Sequence, residues 1–366
     1  MPAVKKRNKI LAVAALIVAA AAAATWYFTS KRGVAPTAYP DEYRYKALDV
    51  LAVHLSLQEK PDARSVYMED GSGRPYGRYF EHAGLNCASN AAEGRFGLVF
   101  AVGSGPHDWQ RLRSRTLDNG AMAWFFDVRS LSAAKFRKML EEFPCEQVHL
   151  WMPGENEWLL TGRLGRHVLK LDSMLDLFSP DGAVEDLAEA ECTSFPELFA
   201  SYVGTREDVM PAFQGDLDAV VRPEVFISKE IPSMDWIVKG GADEDIYTSV
   251  MQEIRSMQVV RRLIVQGNML ARDAEKFGEA IDKWSAAMLR NPHDTMLLDR
   301  LYRLAVNAHA FERVGNLKGA AKCYETMVSV RPKDSAAMMR YADCMRRLGQ
   351  KEIADVAEKR ARELMK

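Results

Sequence analysis

A repeated pattern in the C-terminal third constrains the fold of this chain more than any other feature. The segment AIDKWSAAMLRNPHD (280–294) aligns with AAKCYETMVSVRPKD (320–334) at an offset of 40 residues. Alanine, an aromatic residue, proline and aspartate recur at matching positions. Proline cannot continue a helix, and a repeat of this length is typical of stacked helical hairpins. The pattern therefore predicts an all-α domain at residues 241–366.

The repeated segment resembles the second helix of tetratricopeptide repeats, in which a small residue, an aromatic residue and a closing proline follow in this order. If a 34-residue unit follows Pro332, Gly349 falls at the turn between its helices and Ala354 at a close-packing position. The offset of 40 places six extra residues between positions 295 and 315, which predicts a lengthened helix there. The resemblance implies two units and part of a third before them.

Repeats of this kind stack into a superhelix whose concave face binds an extended peptide or another protein's terminus. The resemblance therefore implies a protein or peptide partner. The alternative is an array that caps its own neighbouring domain or dimerises. The candidate groove residues are Arg300, Arg303, Asn307, Arg340 and Arg347. Arginines on a solvated helix face would give the same pattern.

The N-terminal segment, residues 1–32, contains an uncharged run of 19 residues from Ile10 to Phe28. A helix of that length covers nearly the roughly 30 Å hydrocarbon core, whereas a signal peptide has an apolar stretch of about 7–15 residues. We therefore predict an anchor, and the alternative is a signal sequence whose cleavage yields a secreted protein. Four basic residues precede the run and two follow it. This asymmetry predicts an inner-membrane protein with a cytoplasmic N-terminus and a periplasmic body.

The charge is distributed unevenly along the chain. Residues 1–32 hold six basic and no acidic side chains, residues 33–254 hold 21 and 36, and residues 255–366 hold 22 and 14. The net charges are therefore +6, −15 and +8. Because the middle region is strongly acidic and would repel phosphate groups, we do not expect it to bind nucleic acid.

The five cysteines show neither a C-x-x-C pair nor zinc-type spacing. No metal site and no disulfide framework are predicted from such spacing. Cys323 and Cys344 are expected to be small buried residues, with a bridge between them as the alternative.

After a linker at residues 33–40, the region 41–240 alternates between helical and strand patterns. DEYRYKALDVLAVHLSL and LSAAKFRKMLEEF have helical spacing, whereas SVYME, LNCAS and LVFAV are typical of strands. VHLWMPGENEWLLTGR predicts a hairpin that turns at PGEN. We therefore predict an α/β domain here.

This order resembles the class I methyltransferase version of the Rossmann fold. The segments LAVHLSLQEKPDARSVYMEDGSG, GLVFAVGSGP and VVRPEVFIS are similar to spermidine synthases, especially the synthase-like domains attached to membrane segments. The resemblance covers about residues 46–230 and implies a Rossmann-like sheet that ends in an antiparallel hairpin. Few residues separate Ser89 from Phe96, where the family spends several dozen, so the sheet is expected to be truncated.

In that family a glycine-rich loop after the first strand binds decarboxylated S-adenosylmethionine, and aspartates in a later loop orient and deprotonate the amine. The resemblance assigns the vestigial cofactor loop to Gly71, Gly73 and Asp70. The family's acidic positions are occupied here by Val102, Gly105, Val220 and Val221. Because a cationic amine needs a carboxylate to bind it and accept its proton, no catalytic residue is predicted.

Two polar residues just beyond the altered loop are weaker candidates for a replacement base, His107 and Asp108. A helix N-cap at Asp108 is the favoured alternative. Four tryptophans are expected to pack the hairpin against the sheet, Trp109, Trp124, Trp151 and Trp158, and an aromatic-lined ligand cleft is the alternative.

Together these patterns predict a membrane-anchored, non-catalytic protein that acts as an interaction scaffold in the bacterial envelope and binds no cofactor. The alternative is a residual aminopropyltransferase or methyltransferase, or a sensor for polyamines or nucleosides. Only that alternative implies S-adenosylmethionine or its decarboxylated form as a cofactor.

Overall fold

The computed structural model describes twelve stretches of the chain: 41–57, 65–69, 75–88, 94–103, 107–129, 131–165, 168–171, 181–190, 192, 194–213, 221–222 and 234–365. The described residues fall into two compact units, which divide between Arg300 and Leu301. The predicted anchor and linker (1–40), the loop residues Asp70, Gly71 and Gly73, and positions Gly105 and Val220 lie outside the described residues. Within the described part of the chain, no helix is both long and apolar enough to cross a bilayer.

The first unit is built on a mixed seven-stranded sheet. Its strands are β1 (Ser65–Glu69), β2 (Asn86–Ala88), β3 (Phe96–Val102), β4 (Thr116–Asp127), β5 (Gln147–Trp151), β6 (Glu157–Arg163) and β8 (Tyr202–Thr205). The spatial order is β2-β1-β3-β4-β6-β5-β8. Strands β1 to β4 pair in parallel, whereas β6, β5 and β8 continue the sheet in antiparallel pairs. This order confirms the predicted α/β class and the β5–β6 hairpin.

A second, two-stranded parallel sheet joins β7 (Leu169–Lys170) to β9 (Ile237–Val238). The helices of the α/β region are α1 (Asp41–Ser56), α2 (Tyr76–His82), α3 (Trp109–Ser114), α4 (Ala133–Glu142), α5 (Asp181–Glu189), α6 (Phe195–Phe199) and α7 (Arg206–Val209). Short 3₁₀ turns follow at Met210–Phe213 and, later in the chain, at Ala274–Lys276.

Strand β4 shows why the sheet is buried on both faces. Its alternate residues Ala121, Ala123 and Phe125 belong to the core that includes α1, α2 and α6. On the opposite face, the Trp124 and Phe126 rings lie 4.4 Å apart, and Phe126 packs against Phe136 of α4. An unbroken apolar run is the pattern expected of a strand that is covered on both sides.

The C-terminal residues form successive long helices. They are α8 (Glu244–Leu270), α9 (Phe277–Arg290), α10 (Thr295–Arg313), α11 (Leu317–Val330), α12 (Ser335–Arg347) and α13 (Lys351–Leu364). This confirms the predicted helical region. The predicted domain boundary at residue 240 and the repeat family stay predictions.

The repeated segments coincide with α9 and α11, and their small residues are fully buried, Ala280 and Ala320 both at 0% exposure. The predicted six extra residues lengthen a helix: α10 has 19 residues and α12 has 13, a difference of six. Gly349 has a φ of +81° between α12 and α13, a conformation that favours glycine at a helix end.

Candidate functional site

The carboxyl ends of the parallel strands are the edge at which open α/β sheets usually bind ligands. Glu69 ends β1, Val102 ends β3 and Asp127 ends β4. Because Asp127 pairs with Glu157 at the start of β6, the β5–β6 turn lies at this edge as well. We call this edge, with the adjoining residues 107–111, the carboxyl edge.

Glu69 is the central acid of the carboxyl edge, and it is already paired. Its Oε1 lies 3.1 Å from His107 Nδ1, and the Arg111 guanidinium binds its other oxygen. Burial acts to raise the pKa of Glu69, but the hydrogen bonds from His107 and Arg111 outweigh it, so the pKa lies below its usual value. The Glu69 carboxylate is therefore ionised at neutral pH and is bound to the Arg111 guanidinium.

His107 is held between this carboxylate and two indole rings. Its side chain is 8% exposed, and its ring centroid lies 5.2 Å from Trp109 and 5.4 Å from Trp124. Trp124 is itself fixed, because its Nε1 donates to the Gly103 carbonyl at 2.8 Å. The other nitrogen of His107, Nε2, is buried and has no hydrogen-bond partner among the described residues. The structure thus brings His107 to Glu69, the last residue of β1.

Asp108 has a structural role. Its side chain accepts a hydrogen bond from the backbone N–H of Arg111 at 3.0 Å and caps the N-terminus of α3. This confirms the N-cap that the sequence favoured. A carboxylate used in this way stabilises the helix by about 1 kcal/mol.

Two of the positions at which a spermidine synthase would have acids, if the resemblance holds, are described, and both contain valine. Val102 is partly buried at the end of β3 and packs against the main core. Val221 is 4% exposed, and its backbone N–H donates to the Leu131 carbonyl at 3.0 Å. Neither side chain can bind an amine or accept a proton.

The four tryptophans pack in the layers beside the sheet, but they do not pack the hairpin against it, because the hairpin strands β5 and β6 belong to the sheet itself. Trp124, Trp151 and Trp158 are fully buried, and Trp109 is half-buried with its ring 5.1 Å from that of Trp124. Trp151 Nε1 donates to Thr161 Oγ1 at 2.8 Å. Their rings fill protein interior.

Among the described residues, no group of three or more histidine, cysteine or acidic side chains is placed to hold a metal ion. The five cysteines are free thiols. Known families give no assignment. The chain matches no family model, no curated protein and no solved structure. Its function is therefore inferred from its own side chains and contacts.

One of the five candidate groove residues, Arg300, is bound within the protein, whereas the other four are half-buried or exposed. Arg300 Nε donates to Asn268 Oδ1 at 2.9 Å, and its guanidinium lies over the Trp284 ring and 3.4 Å from Glu155. In the second unit, Arg303 is half-buried, and Asn307, Arg340 and Arg347 are exposed. Arg347 lies 3.7 Å from Asp343 on its own helix.

One charged residue that the sequence analysis missed is Arg261, on α8. It is 6% exposed, with Nε 2.5 Å from Asp294 Oδ2 and one terminal nitrogen donating to the Met152 carbonyl at 2.8 Å. A signal was available in the sequence. Gln258, Arg261 and Asn268 stand on the same helical stripe as buried Ile254 and Val265, and polar residues at core positions of an amphipathic helix indicate a buried polar contact.

Proposed function

We propose that this chain is a membrane-anchored, non-catalytic scaffold of the bacterial envelope. In this proposal a degenerate spermidine synthase-like domain and tetratricopeptide-like repeats hold partner proteins, and the apolar run near the N-terminus anchors them to the inner membrane. The non-catalytic part of the proposal rests on one observation: acids at the carboxyl edge are already bound by other groups of the protein. Glu69, Asp108 and Asp127 each already have an internal partner.

Aminopropyl transfer needs a carboxylate that is free to bind a cationic amine and then to accept its proton. Glu69 is bound by Arg111 and His107, and Asp127 accepts from Arg129 Nε at 2.8 Å. An amine would have to displace a guanidinium from either acid. Asp108 would have to give up the hydrogen bond with which it caps the N-terminus of α3. These costs support a protein that keeps the fold of a synthase without its chemistry.

The test of the non-catalytic half is direct. We would incubate the full chain in detergent with putrescine or spermidine and decarboxylated S-adenosylmethionine, and in parallel with S-adenosylmethionine. We expect no aminopropyl or methyl transfer above a blank without protein. Product that grows with protein concentration and disappears in Glu69→Gln would overturn the proposal.

The scaffold half is tested by site-specific photo-cross-linking in the native envelope. A photoreactive amino acid at Asn307 or Arg340 reports on the predicted groove, and one at exposed Lys322 of α11 is the matched control. We expect discrete adducts of one size from both groove positions and none of that size from position 322. No discrete adduct from either groove position would contradict a scaffold that works through this surface.

A second candidate function is a sensor that binds a polyamine or a nucleoside without converting it. Two observations favour it: the buried His107 Nε2 without a described partner, and the net charge of −15 over residues 33–254 (21 basic, 36 acidic). Calorimetry with spermidine, putrescine and S-adenosyl compounds separates the two candidates. Binding that is lost in His107→Phe would favour the sensor.

A further inference from the structure

The tip of the β5–β6 hairpin is buried, which is unusual for a turn. Met152, Pro153 and Gly154 are all buried, and Glu155 is half-buried with its side chain 13% exposed. Loops normally run over the surface because their backbone polar groups need partners. Here those partners come from a helical segment more than a hundred residues later in the chain.

Arg261 supplies the first set of contacts to this turn. Arg261 Nη1 donates to the Met152 carbonyl at 2.8 Å and to the Pro153 carbonyl at 3.3 Å. Its Nη2 donates to Thr295 Oγ1 at 2.8 Å. Asp294, 1% exposed, neutralises the guanidinium. A buried arginine with its charge and its donors satisfied is stable only while all these groups stay in place.

A second set of contacts closes the arrangement. Thr295 Oγ1 donates to the Pro153 carbonyl at 2.9 Å. Arg300 reaches Glu155, and Asn268 Oδ1 accepts both from Arg300 and from Trp284 Nε1 at 3.1 Å. We call these two arginines, their partners on α8 to α10 and the turn Met152–Glu155 the arginine latch.

The latch ties together elements that the sequence assigns to different domains. Strand β6 pairs along its length with β4, and α8 also packs against α6 of the same unit. Opening the helices away from the turn would leave the Met152 and Pro153 carbonyls without the donors that Arg261 and Thr295 supply, and would separate Glu155 from Arg300. A buried carbonyl left without a hydrogen-bond donor is unfavourable, so the turn and the helices are expected to open together.

We propose that the arginine latch makes residues 244–300 part of the α/β folding unit, so that α8 and α9 open only together with β5 and β6. Arg261 and Thr295 bind the carbonyls of the turn, and Arg300 binds Glu155. Each helix of this segment is therefore fixed to the hairpin directly or through its neighbour.

Hydrogen exchange on the full chain tests the latch without any substitution. Peptides covering β5 and β6 and peptides covering α8 and α9 are followed against denaturant concentration. We expect the slowest amides of both sets to report one opening with the same free energy and the same denaturant dependence, as a single cooperative unit does. Opening of α8 and α9 in a separate, lower-energy step would overturn the proposal.

Variants sharpen the test. Arg261→Met is expected to speed exchange in β5 and β6 by roughly a hundredfold, whereas Arg255→Met, at an exposed position of the same helix, changes it less than about threefold. If Arg261→Met does not fold, Thr295→Val removes only the hydroxyl contacts and is expected to speed exchange about tenfold. Faster exchange confined to α8 would contradict the coupling.

Discussion

At the scale of single residues, the acid Glu69 shows how strand order sets the partners of a side chain. Glu69 and His107 are 38 positions apart in sequence, and they meet because β1 and β3 are parallel neighbours whose ends share an edge. No local pattern predicts such a contact, since strand order decides it. The valines at positions 102 and 221 could be read from the sequence, whereas the pairing of Glu69 with His107 and Arg111 could not.

Glu69→Gln should destabilise the protein at neutral pH by about 1 kcal/mol, because it leaves the half-exposed Arg111 without its counter-charge. The pKa of Glu69 is lowered in the folded state. Its contribution to stability is therefore complete above the unfolded value of about 4.3 and is lost as the pH falls through the lower folded pKa. Urea unfolding measures the difference in the free energy of unfolding between the wild type and Glu69→Gln. This difference should shrink towards zero between neutral pH and about pH 3.

The matched control for this pH effect is Glu142→Gln, which removes an exposed i,i+4 partner of Lys138. A surface pair of that kind contributes little, so its stability difference should stay small at both pH values. A Glu69→Gln difference that grows on acidification would refute the pairing.

Asp108→Ala should lower stability by about 1 kcal/mol through the lost cap, and Asp108→Ser should restore most of it because serine also caps helices. Thermal unfolding of the two variants distinguishes a cap from a general base, for which serine is no substitute. Equal losses in both variants would exclude capping as the role of this residue.

At the scale of elements, helix lengths were predictable and helix partners were not. The lengthened α10 and the segments α9 and α11 were predicted from the 40-residue offset and the resemblance to a 34-residue repeat, in which proline and small residues act locally. The short strands β8 and β9 carry no such signal in the sequence, since they form only when neighbouring strands offer hydrogen-bond partners. For Arg261, the helical stripe indicates a buried polar contact, but no pattern identifies its partner on the β5–β6 turn, more than a hundred residues away.

Gly267 of α8 tests a close approach between two helices. A Cβ at this position would lie 2.4 Å from Trp284 Nε1, so Gly267→Ala should destabilise the protein by about 1–3 kcal/mol, although alanine is the better helix former. Gly278→Ala on α9 is the control, since nothing lies within 4 Å of its added Cβ. That variant should gain about 0.5 kcal/mol. Denaturant unfolding that gives both variants the same sign would contradict the packing.

At the scale of the whole molecule, the sequence supplied the class and order of its parts. Alternating helices and strands followed by long helices were read from periodicity, because burial imposes that periodicity on each element separately. The strand order β2-β1-β3-β4-β6-β5-β8 depends on which apolar faces pack together, and a single chain offers no direct record of that choice. The membrane anchor stays a prediction of the sequence.

The five free cysteines allow a test across the molecule. Burial raises the pKa of the Cys87 thiol to about 11 and that of Cys344 to about 11, so few thiols should react with an alkylating reagent in the native protein at mildly alkaline pH. All five should react after denaturation, and a reductant should leave the Tm unchanged. A Tm that falls on reduction would instead indicate the Cys323–Cys344 bridge.

Hairpin tips on a protein surface are where inserted sequence is usually tolerated. The tip at Met152–Gly154 is buried, and a Cβ on Gly154 would lie 2.9 Å from Leu48 Cδ2. An epitope tag or a circular permutation placed there would therefore damage the interior, whatever the secondary structure suggests. The exposed turn at Gly315 and Asn316 is the position at which a tag for imaging or purification should leave the packing intact.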